Sequence, residues 1–250
     1  MELRRIHPPG SPVTPAAALA DVDFGAPAPP GRPYVVANMV ASADGRASLD
    51  GRSGGLGGDI DRAVFHQLRA RVDAVMAGTG TLRAERYGRL IKAEELREQR
   101  TGAGLAPDPL AVVVSRSLDL PLGIGLFTDP AQPVVVLTGA ARPLEGAGPN
   151  VTVERLAAEE DTLAGALARL RERHGVRSLL CEGGPTVLGA LLAERLVDEL
   201  FLTLSPLLVG GGGAPAIIGA DRPAAPAGLE LVWVLEAEGS LFMRYRVTRD

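Results

Sequence analysis

The chain has 250 residues, of which 46% are apolar, and a formal net charge of −4. This composition allows a sizeable core, and the basic residues are scattered, which argues against nucleic acid as an obligatory partner. The single cysteine, Cys181, excludes an internal disulfide and a multi-cysteine zinc site. We therefore expect a globular, cytoplasmic protein that binds small molecules, with neither a membrane segment nor a metal.

The N-terminal segment, residues 1–32, is rich in proline, which prevents regular helix. We expect this segment to form an arm that lies over another part of the molecule; a loosely ordered leader is the alternative. The remaining residues, 33–250, are expected to form a single domain.

The first predicted elements are a buried strand over residues 34–41, a glycine-rich loop, and a helix over residues 60–71. A short strand over residues 73–78 follows. After it, we expect a helical turn capped by Thr79 or Thr81. Residues 91–100 are predicted to form a charged surface helix.

The rest of the chain alternates between strand and helix patterns. Strands are predicted over residues 110–115, 133–138, 150–156, 176–184 and 199–206, and helices over 161–174 and 185–195. This alternation indicates the α/β class, with a mostly parallel sheet and helices that connect its strands. Residues 229–249 indicate a C-terminal antiparallel hairpin at the sheet edge.

One predicted strand end carries a pair of glycines that suits a phosphate. Ligands of open parallel sheets lie beyond the carboxyl ends of the strands, where helix N-termini present unpaired amides. Gly183 and Gly184 follow a strand and precede a helix that has Pro185 at its first position. Backbone could approach a pyrophosphate there while the amide of Thr186 donates to it. The alternative is a plain turn that uses glycine for its dihedral freedom.

Two further strand ends carry hydroxyls. Gly78, Thr79 and Thr81 lie at a helix start, although N-capping alone would explain the threonines. Ser115 and Arg116 suit the ribose 2′-phosphate of NADPH, with a solvated turn as the alternative. Together the three ends predict a phosphorylated dinucleotide site, and no GxGxxG sequence follows a strand in a Rossmann context.

These motifs resemble, in order, those of the reductase domain of bacterial riboflavin biosynthesis, which has the dihydrofolate reductase-like fold. The segments that carry the resemblance are "NMVASADGR", "HQLRARVDAVMAGTGT", "SRS", "EGGPTVLGALL" and "VDELFLTLSPLLVGG". The resemblance implies a homodimeric, NADPH-dependent reductase of the 5-amino-6-(5-phosphoribosylamino)uracil type. In that reaction the imine carbon of the ring-opened ribose accepts a hydride. With one cysteine the chain cannot hold the zinc deaminase of the bifunctional enzymes, so we expect a stand-alone reductase.

The resemblance also implies roles for single residues. Val40 and Ala41 are expected to contact the nicotinamide through backbone. The rest of the cofactor is expected on Gly78, Thr79, Thr81, Ser115, Arg116, Gly183, Gly184, Pro185 and Thr186. Ser53, Arg69 and Glu182 match positions that contact substrate. From the residues alone, Arg69 could equally be an exposed charge, whereas Glu182 at the end of a buried strand needs a partner.

Asp44 is the predicted catalytic residue, for proton supply or imine polarisation, because its carboxyl lies at the end of the first strand. The alternative is an aspartate that caps the tight turn at Gly45. The segment "LRAERYGRLI" departs from the family, since Glu85, Tyr87 and Arg89 replace groups that contact substrate. This departure leaves open a reductase of another carbon–nitrogen double bond, such as that of dihydrofolate, or a non-catalytic NADPH-binding protein.

Overall fold

The structure, a computed structural model, describes residues 1–211, 213–219 and 225–248. The chain divides into two compact units. The first comprises Met1–Val22, Val35–Leu68 and Gly183–Asp250, and the second comprises Asp23–Tyr34 and Arg69–Glu182. The boundary expected between residues 32 and 33 stays a prediction.

The elements follow in chain order. They are β1 Arg4–His7, α1 Pro15–Ala18, β2 Tyr34–Ser42, α2 Asp59–Arg69, β3 Ala74–Met76, α3 Thr79–Glu85, α4 Glu94–Gly102, β4 Leu110–Val114, α5 Gly125–Thr128, β5 Val134–Thr138, β6 Val151–Arg155, α6 Leu163–His174, β7 Ser178–Cys181, α7 Pro185–Ala193, β8 Glu199–Ser205, β9 Gly228–Ala237 and β10 Ser240–Thr248. A 3₁₀ turn, Ala158–Glu160, precedes α6.

The first unit contains strands in the order β1-β9-β10-β8-β2. Strands β2 and β8 are parallel, and their register runs from Val36 opposite Glu199 to Ser42 opposite Ser205. The other pairs of this unit are antiparallel. Strands β9 and β10 form the predicted C-terminal hairpin, in which Trp233 packs edge-on against Phe201 of β8.

The second unit contains strands in the order β7-β3-β4-β5-β6, and every described pair in it is parallel. All residues of β5 and β7 are buried. Complete burial explains why these strands are continuous apolar runs rather than alternating patterns. The α/β class, the predominance of parallel pairing and the antiparallel hairpin are thus confirmed.

The N-terminal segment contains more regular structure than its proline content predicts. Strand β1 pairs with β9, and Leu3 beside it is fully buried. The expectation that regular helix is prevented is wrong over α1, where Thr14 Oγ1 accepts from the amide of Ala17 at 3.2 Å. Pro15 fits at the first helical position because that residue needs no amide donor.

Helix α4 is the second correction. The predicted surface helix over residues 91–100 begins later and includes a fully buried arginine, Arg100. Its guanidinium donates to the carbonyls of Arg69, Val72 and Ala106 at 2.7–2.8 Å. A charge can be buried in this way when backbone acceptors replace its hydration.

Candidate active site

The glycine pair lies between β7 and α7, as predicted. Gly183 has φ +85°, and the peptide bond to Gly184 is cis. A Cβ on Gly183 would lie 3.3 Å from Met39 Sδ, so both the backbone conformation and the space favour glycine there. Gly184 is the N-cap of α7, and Pro185 occupies its first turn.

The start of α7 fits an anion. Its first intrahelical hydrogen bond runs from the Leu188 amide to the Gly184 carbonyl at 3.1 Å. The amides of Thr186 and Val187 precede that bond, and they carry the positive end of the helix dipole. Thr186 is exposed. A side-chain-free turn followed by a helix N-terminus is an arrangement that binds phosphate groups.

The turn after β3 differs from the prediction in its cap. Gly78 is the N-cap of α3, and neither Thr79 nor Thr81 makes a side-chain cap. The N-cap assignment of these threonines is therefore wrong, because the helix begins at Thr79 itself and the cap position falls on Gly78. Both threonines are half-buried. Their predicted contact with a cofactor stays a prediction.

Ser115 and Arg116 follow β4, and they have contrasting environments. Ser115 is buried, and its Oγ accepts from the Leu118 amide at 3.0 Å. Arg116 is exposed, and its guanidinium has no partner among the described residues. A guanidinium left to solvent next to an ordered turn can pair with a phosphate at little cost.

Arg69 and Glu182 form a buried ion pair in the second unit. Arg69 Nε donates to Glu182 Oε1 at 2.6 Å, and Nη2 donates to Oε2 at 2.7 Å. Arg69 Nη1 also donates to the Leu90 carbonyl at 2.8 Å. Burial opposes the charge of Arg69, but Glu182 more than offsets it and raises the pKa of the guanidinium. The exposed-charge alternative for Arg69 is therefore wrong.

Tyr87 completes this cluster. Its hydroxyl donates to Glu182 Oε2 at 2.8 Å, and the Arg69 guanidinium lies 5.3 Å from the centre of its ring. Burial and the charge of Glu182 raise the pKa of Tyr87 well above its usual value, so the phenol stays a donor. The Glu182 side chain is 1% exposed. We conclude that Tyr87, which the sequence marked only as a departure, takes up part of the carboxylate's hydrogen-bonding capacity.

Asp44 follows β2 and holds a loop of the first unit. Its carboxylate accepts from Ser42 Oγ at 2.6 Å and from the amides of Val209 and Gly210 at 3.0 and 2.7 Å. These three hydrogen bonds lower the pKa of Asp44. The carboxylate is therefore ionised at neutral pH, a state that suits polarisation or loop capping and leaves no proton to give.

The other predicted residues of the first unit lie nearby in sequence. Val40 and Ala41 belong to β2, opposite Thr203 and Leu204 of β8. Ser53 is half-buried in the glycine-rich loop, where its carbonyl accepts from the Leu56 amide at 2.9 Å. Their contacts with ligands stay predictions.

Asp61 was missed by sequence reasoning. It lies in the first turn of α2 and hydrogen-bonds with Thr203 of β8. Burial raises the pKa of its carboxyl, and the Thr203 hydrogen bond and Arg62 offset this only in part. Val64 and Leu68 are buried at helical spacing from it. An acid on the apolar stripe of a helix is the signal that could have identified it.

Among the described residues, no group of three or more His, Cys, Asp or Glu side chains could hold a metal ion. In the same part of the chain, no helix has both the length and the apolar character needed to cross a membrane.

Comparison with known proteins identifies one matching family model and several related reductases. Residues 33–236 match the family model described as the RibD C-terminal domain. The 2,5-diamino-6-ribosylamino-4(3H)-pyrimidinone 5′-phosphate reductase of Archaeoglobus fulgidus is 35% identical over 74% of this chain and 86% of its own. The enzyme of the same name from Methanothermobacter thermautotrophicus is 29% identical over 86% of this chain and 99% of its own.

A solved structure supports the fold. The pyrimidine reductase-like protein from Corynebacterium diphtheriae has a TM-score of 0.75 and 28% sequence identity, over 87% of this chain and 93% of that one. The dihydrofolate reductase-like fold expected from the sequence is confirmed by such neighbours.

Proposed function

The chain belongs to the RibD C-terminal domain family, and on that premise we propose that it is an NADPH-dependent reductase of a ribosylaminopyrimidine 5′-phosphate in riboflavin biosynthesis. The observation that carries the proposal is the match over residues 33–236, which includes the glycine-pair turn, the Ser115–Arg116 turn and the Arg69–Glu182 pair. It is an oxidoreductase, since its named relatives are pyrimidine phosphate reductases.

The turn from Gly183 to Thr186 is proposed to bind the pyrophosphate of the cofactor, and the backbone of Val40 and Ala41 is proposed to contact its nicotinamide. Further cofactor contacts are proposed for Gly78, Thr79, Thr81, Ser115 and Arg116. When bound, the reduced nicotinamide supplies the hydride for the imine carbon of the ring-opened ribose. The exposed guanidinium of Arg116 supports a preference for NADPH over NADH, because only NADPH carries a 2′-phosphate for it to pair with.

Arg69 and Glu182 are proposed to act on the substrate side, as the family implies. Because their charges neutralise each other and Glu182 is almost inaccessible, we assign them first to fixing the end of β7. The Glu182 carboxylate accepts three hydrogen bonds, which leaves one acceptor position on Oε1 for a contact with the pyrimidine. Asp44, as an ionised carboxylate, is assigned to polarisation and to holding the 209–210 loop. Ser53 is proposed to contact substrate from the glycine-rich loop.

The decisive test is hydride transfer to two pyrimidine substrates. The protein is incubated with 4-deuterated NADPH and either 2,5-diamino-6-ribosylamino-4(3H)-pyrimidinone 5′-phosphate or 5-amino-6-(5-phosphoribosylamino)uracil. We expect one deuterium on the former imine carbon, detected by mass spectrometry and NMR, for at least one substrate. Dihydrofolate forms the third arm. Turnover of dihydrofolate alone identifies another reductase, and NADPH binding without any turnover identifies a non-catalytic binding protein.

We also propose that the protein is a cytoplasmic homodimer. The outer part of β9 supports this, because Leu229 and Leu231 are 47% and 38% exposed, and exposed apolar side chains on one strand suit an interface. Cys181 is buried and is the single cysteine of the sequence, and a chain that cannot form an internal disulfide suits a reducing compartment. Light scattering coupled to size-exclusion chromatography should give a mass near twice the 25.9 kDa of the chain, and a monomer mass contradicts the dimer.

A further inference from the structure

The segment that follows β8 in the first unit is held at its start by Asp44. We call this segment, residues 207–211 and 213–219, the strap. The Asp44 carboxylate accepts hydrogen bonds from the amides of Val209 and Gly210, at 3.0 and 2.7 Å. The strap is rich in glycine, which loses the most conformational freedom on folding. Its order therefore depends on contacts of this kind.

A second set of hydrogen bonds holds the middle of the strap. Arg46 Nη1 donates to the Ala214 carbonyl at 3.0 Å, and the Ala47 amide donates to the Pro215 carbonyl at 2.8 Å. Ala47 is buried, so water competes little for its hydrogen bond. Because Asp44, Arg46 and Ala47 all belong to the turn after β2, the strap cannot move away from that turn without breaking several hydrogen bonds.

The strap ends at the first turn of α7. The Gly219 amide donates to the Pro185 carbonyl at 3.0 Å. A Cβ on Gly219 would lie 3.2 Å from the Thr186 amide nitrogen and 3.3 Å from both atoms of the Pro185 carbonyl. The φ of Gly219 lies outside the left-handed region that favours glycine. Only the lack of space beside α7 therefore disfavours a side chain at this position.

The missing side chain of Gly219 lies where an anion would bind. An acceptor oxygen lies about 2.7–3.2 Å from the amide nitrogen that donates to it. A methyl group on Gly219 would therefore take up the distance that a phosphate oxygen needs at the Thr186 amide. The Gly183–Gly184 turn likewise brings no side chain to the start of α7. Glycines from two separate segments thus leave a cradle that fits the proposed pyrophosphate site.

We propose that Gly219 is a positioning residue for the pyrophosphate of NADPH, an inference that rests on the proposed function. Its missing side chain leaves the Thr186 amide open to a phosphate oxygen, and its own amide fixes the strap against α7. The contacts of Asp44, Arg46 and Ala47 prevent the strap from retreating. A larger residue at position 219 would therefore project towards the first turn of α7 and displace the pyrophosphate.

The test compares Gly219→Ala with Gly213→Ala by titration calorimetry. Gly213 belongs to the same strap, and a Cβ on it would meet nothing within 4 Å. The wild type and both variants are titrated with NADPH and with adenosine 2′-monophosphate, which has the 2′-phosphate but no pyrophosphate. We expect Gly219→Ala to weaken NADPH binding by about tenfold or more, the loss of one hydrogen bond to a charged group. Its affinity for adenosine 2′-monophosphate should change by less than about twofold, and Gly213→Ala should leave both affinities unchanged.

Adenosine 2′-monophosphate distinguishes a positioning role from a purely structural one. If Gly219→Ala folds and weakens both ligands equally, Gly219 supports the fold in general and the proposal is overturned. It is also overturned if the NADPH affinity of Gly219→Ala stays within about threefold of the wild type, or if Gly213→Ala loses as much affinity.

Hydrogen exchange of the wild type tests the same contact without a substitution, and it decides the question if Gly219→Ala does not fold. Saturating NADPH should slow exchange of the Gly219 and Thr186 amides by about tenfold or more, because the bound pyrophosphate opposes opening of this end of the strap. The amides of the β9–β10 hairpin should slow less. No slowing at Gly219, or equal slowing at Gly219 and in the hairpin, overturns the proposal.

NADPH binding and pyrimidine turnover separate this inference from the proposed function. If the wild type binds NADPH but reduces neither pyrimidine, the proposed function fails, and Gly219 is still judged by the affinities and by hydrogen exchange. If the wild type reduces a pyrimidine and Gly219→Ala keeps its NADPH affinity, the inference alone fails. A wild type that binds no NADPH overturns both.

Discussion

Arg69 and Glu182 lie 113 positions apart in sequence and form two nearly parallel hydrogen bonds of 2.6 and 2.7 Å in the interior of the second unit. A pair of this kind is fixed in direction as well as in distance, because the planar guanidinium matches the carboxylate. Removing one partner leaves the other charge buried without compensation. The pair therefore ties the end of α2 to the residue that follows β7.

The first prediction concerns this pair. Arg69→Met and Glu182→Met should each lower the free energy of unfolding by about 3 kcal/mol or more, because each leaves a buried charge. The double variant should lose much less than the sum, because no charge then remains. Urea denaturation of the wild type, the two single variants and the double variant measures the coupling energy between residues 69 and 182. Arg246→Met breaks an exposed pair with Glu230 and should change stability by less than about 1 kcal/mol. Additive losses at residues 69 and 182 would contradict the pairing.

Local sequence patterns were sufficient to predict most of the fold. Strand β5 is an uninterrupted apolar run, and the structure buries all its residues. The C-terminal hairpin was predictable because a turn that contains glycine separates two strand-like runs. In the structure, Gly239 in this turn has φ +79°. Helix α2 was predicted over residues 60–71 and is observed over Asp59–Arg69, since its apolar period is clear while its ends depend on context.

The partners of charged side chains were not predictable in the same way. Arg69, Arg100 and Asp61 have ionisable side chains, but only the fold determines which groups contact them. Arg100 can be buried because its guanidinium donates to three carbonyls from two segments, those of Arg69 and Val72 and that of Ala106. Asp61 is half-buried and interacts with Thr203 because α2 places it against β8. Such contacts join distant parts of the chain, so no local pattern contains them.

The second prediction tests the glycine pair. Gly183→Ala should lower the free energy of unfolding by about 1 kcal/mol or more, because alanine disfavours φ +85° and its methyl would contact Met39. NADPH affinity should fall as well, since the methyl narrows the approach to the α7 N-terminus. Titration calorimetry measures this affinity. Gly102→Ala, at the open end of α4, is the matched control and should be neutral or stabilising by about 0.5 kcal/mol. Equal effects of Gly183→Ala and Gly102→Ala on stability and on NADPH affinity would contradict the role proposed for Gly183.

The third prediction tests cofactor choice. Arg116→Ala should weaken NADPH binding by about 1 to 3 kcal/mol and leave NADH binding unchanged, because only the 2′-phosphate is proposed to pair with the guanidinium. Titration calorimetry with both nucleotides measures the difference. Arg173→Ala, an exposed arginine of α6 in the same unit, should leave both affinities unchanged. An equal loss for NADPH and NADH in Arg116→Ala would reject the 2′-phosphate assignment.

The fourth prediction is the pH dependence of Asp44. Hydrogen bonds from Ser42, Val209 and Gly210 lower the pKa of Asp44, so the folded protein binds this proton more weakly than the unfolded chain does. The resulting stability is present above the ordinary aspartate pKa of about 3.9 and is lost as pH falls through the lower, folded value. Urea denaturation should therefore find Asp44→Asn less stable than the wild type near pH 7, with the difference shrinking in acid. A difference that does not shrink at all below the ordinary value, down to the lowest pH at which the wild type is still folded, would mean that ionisation is not what holds the 209–210 loop.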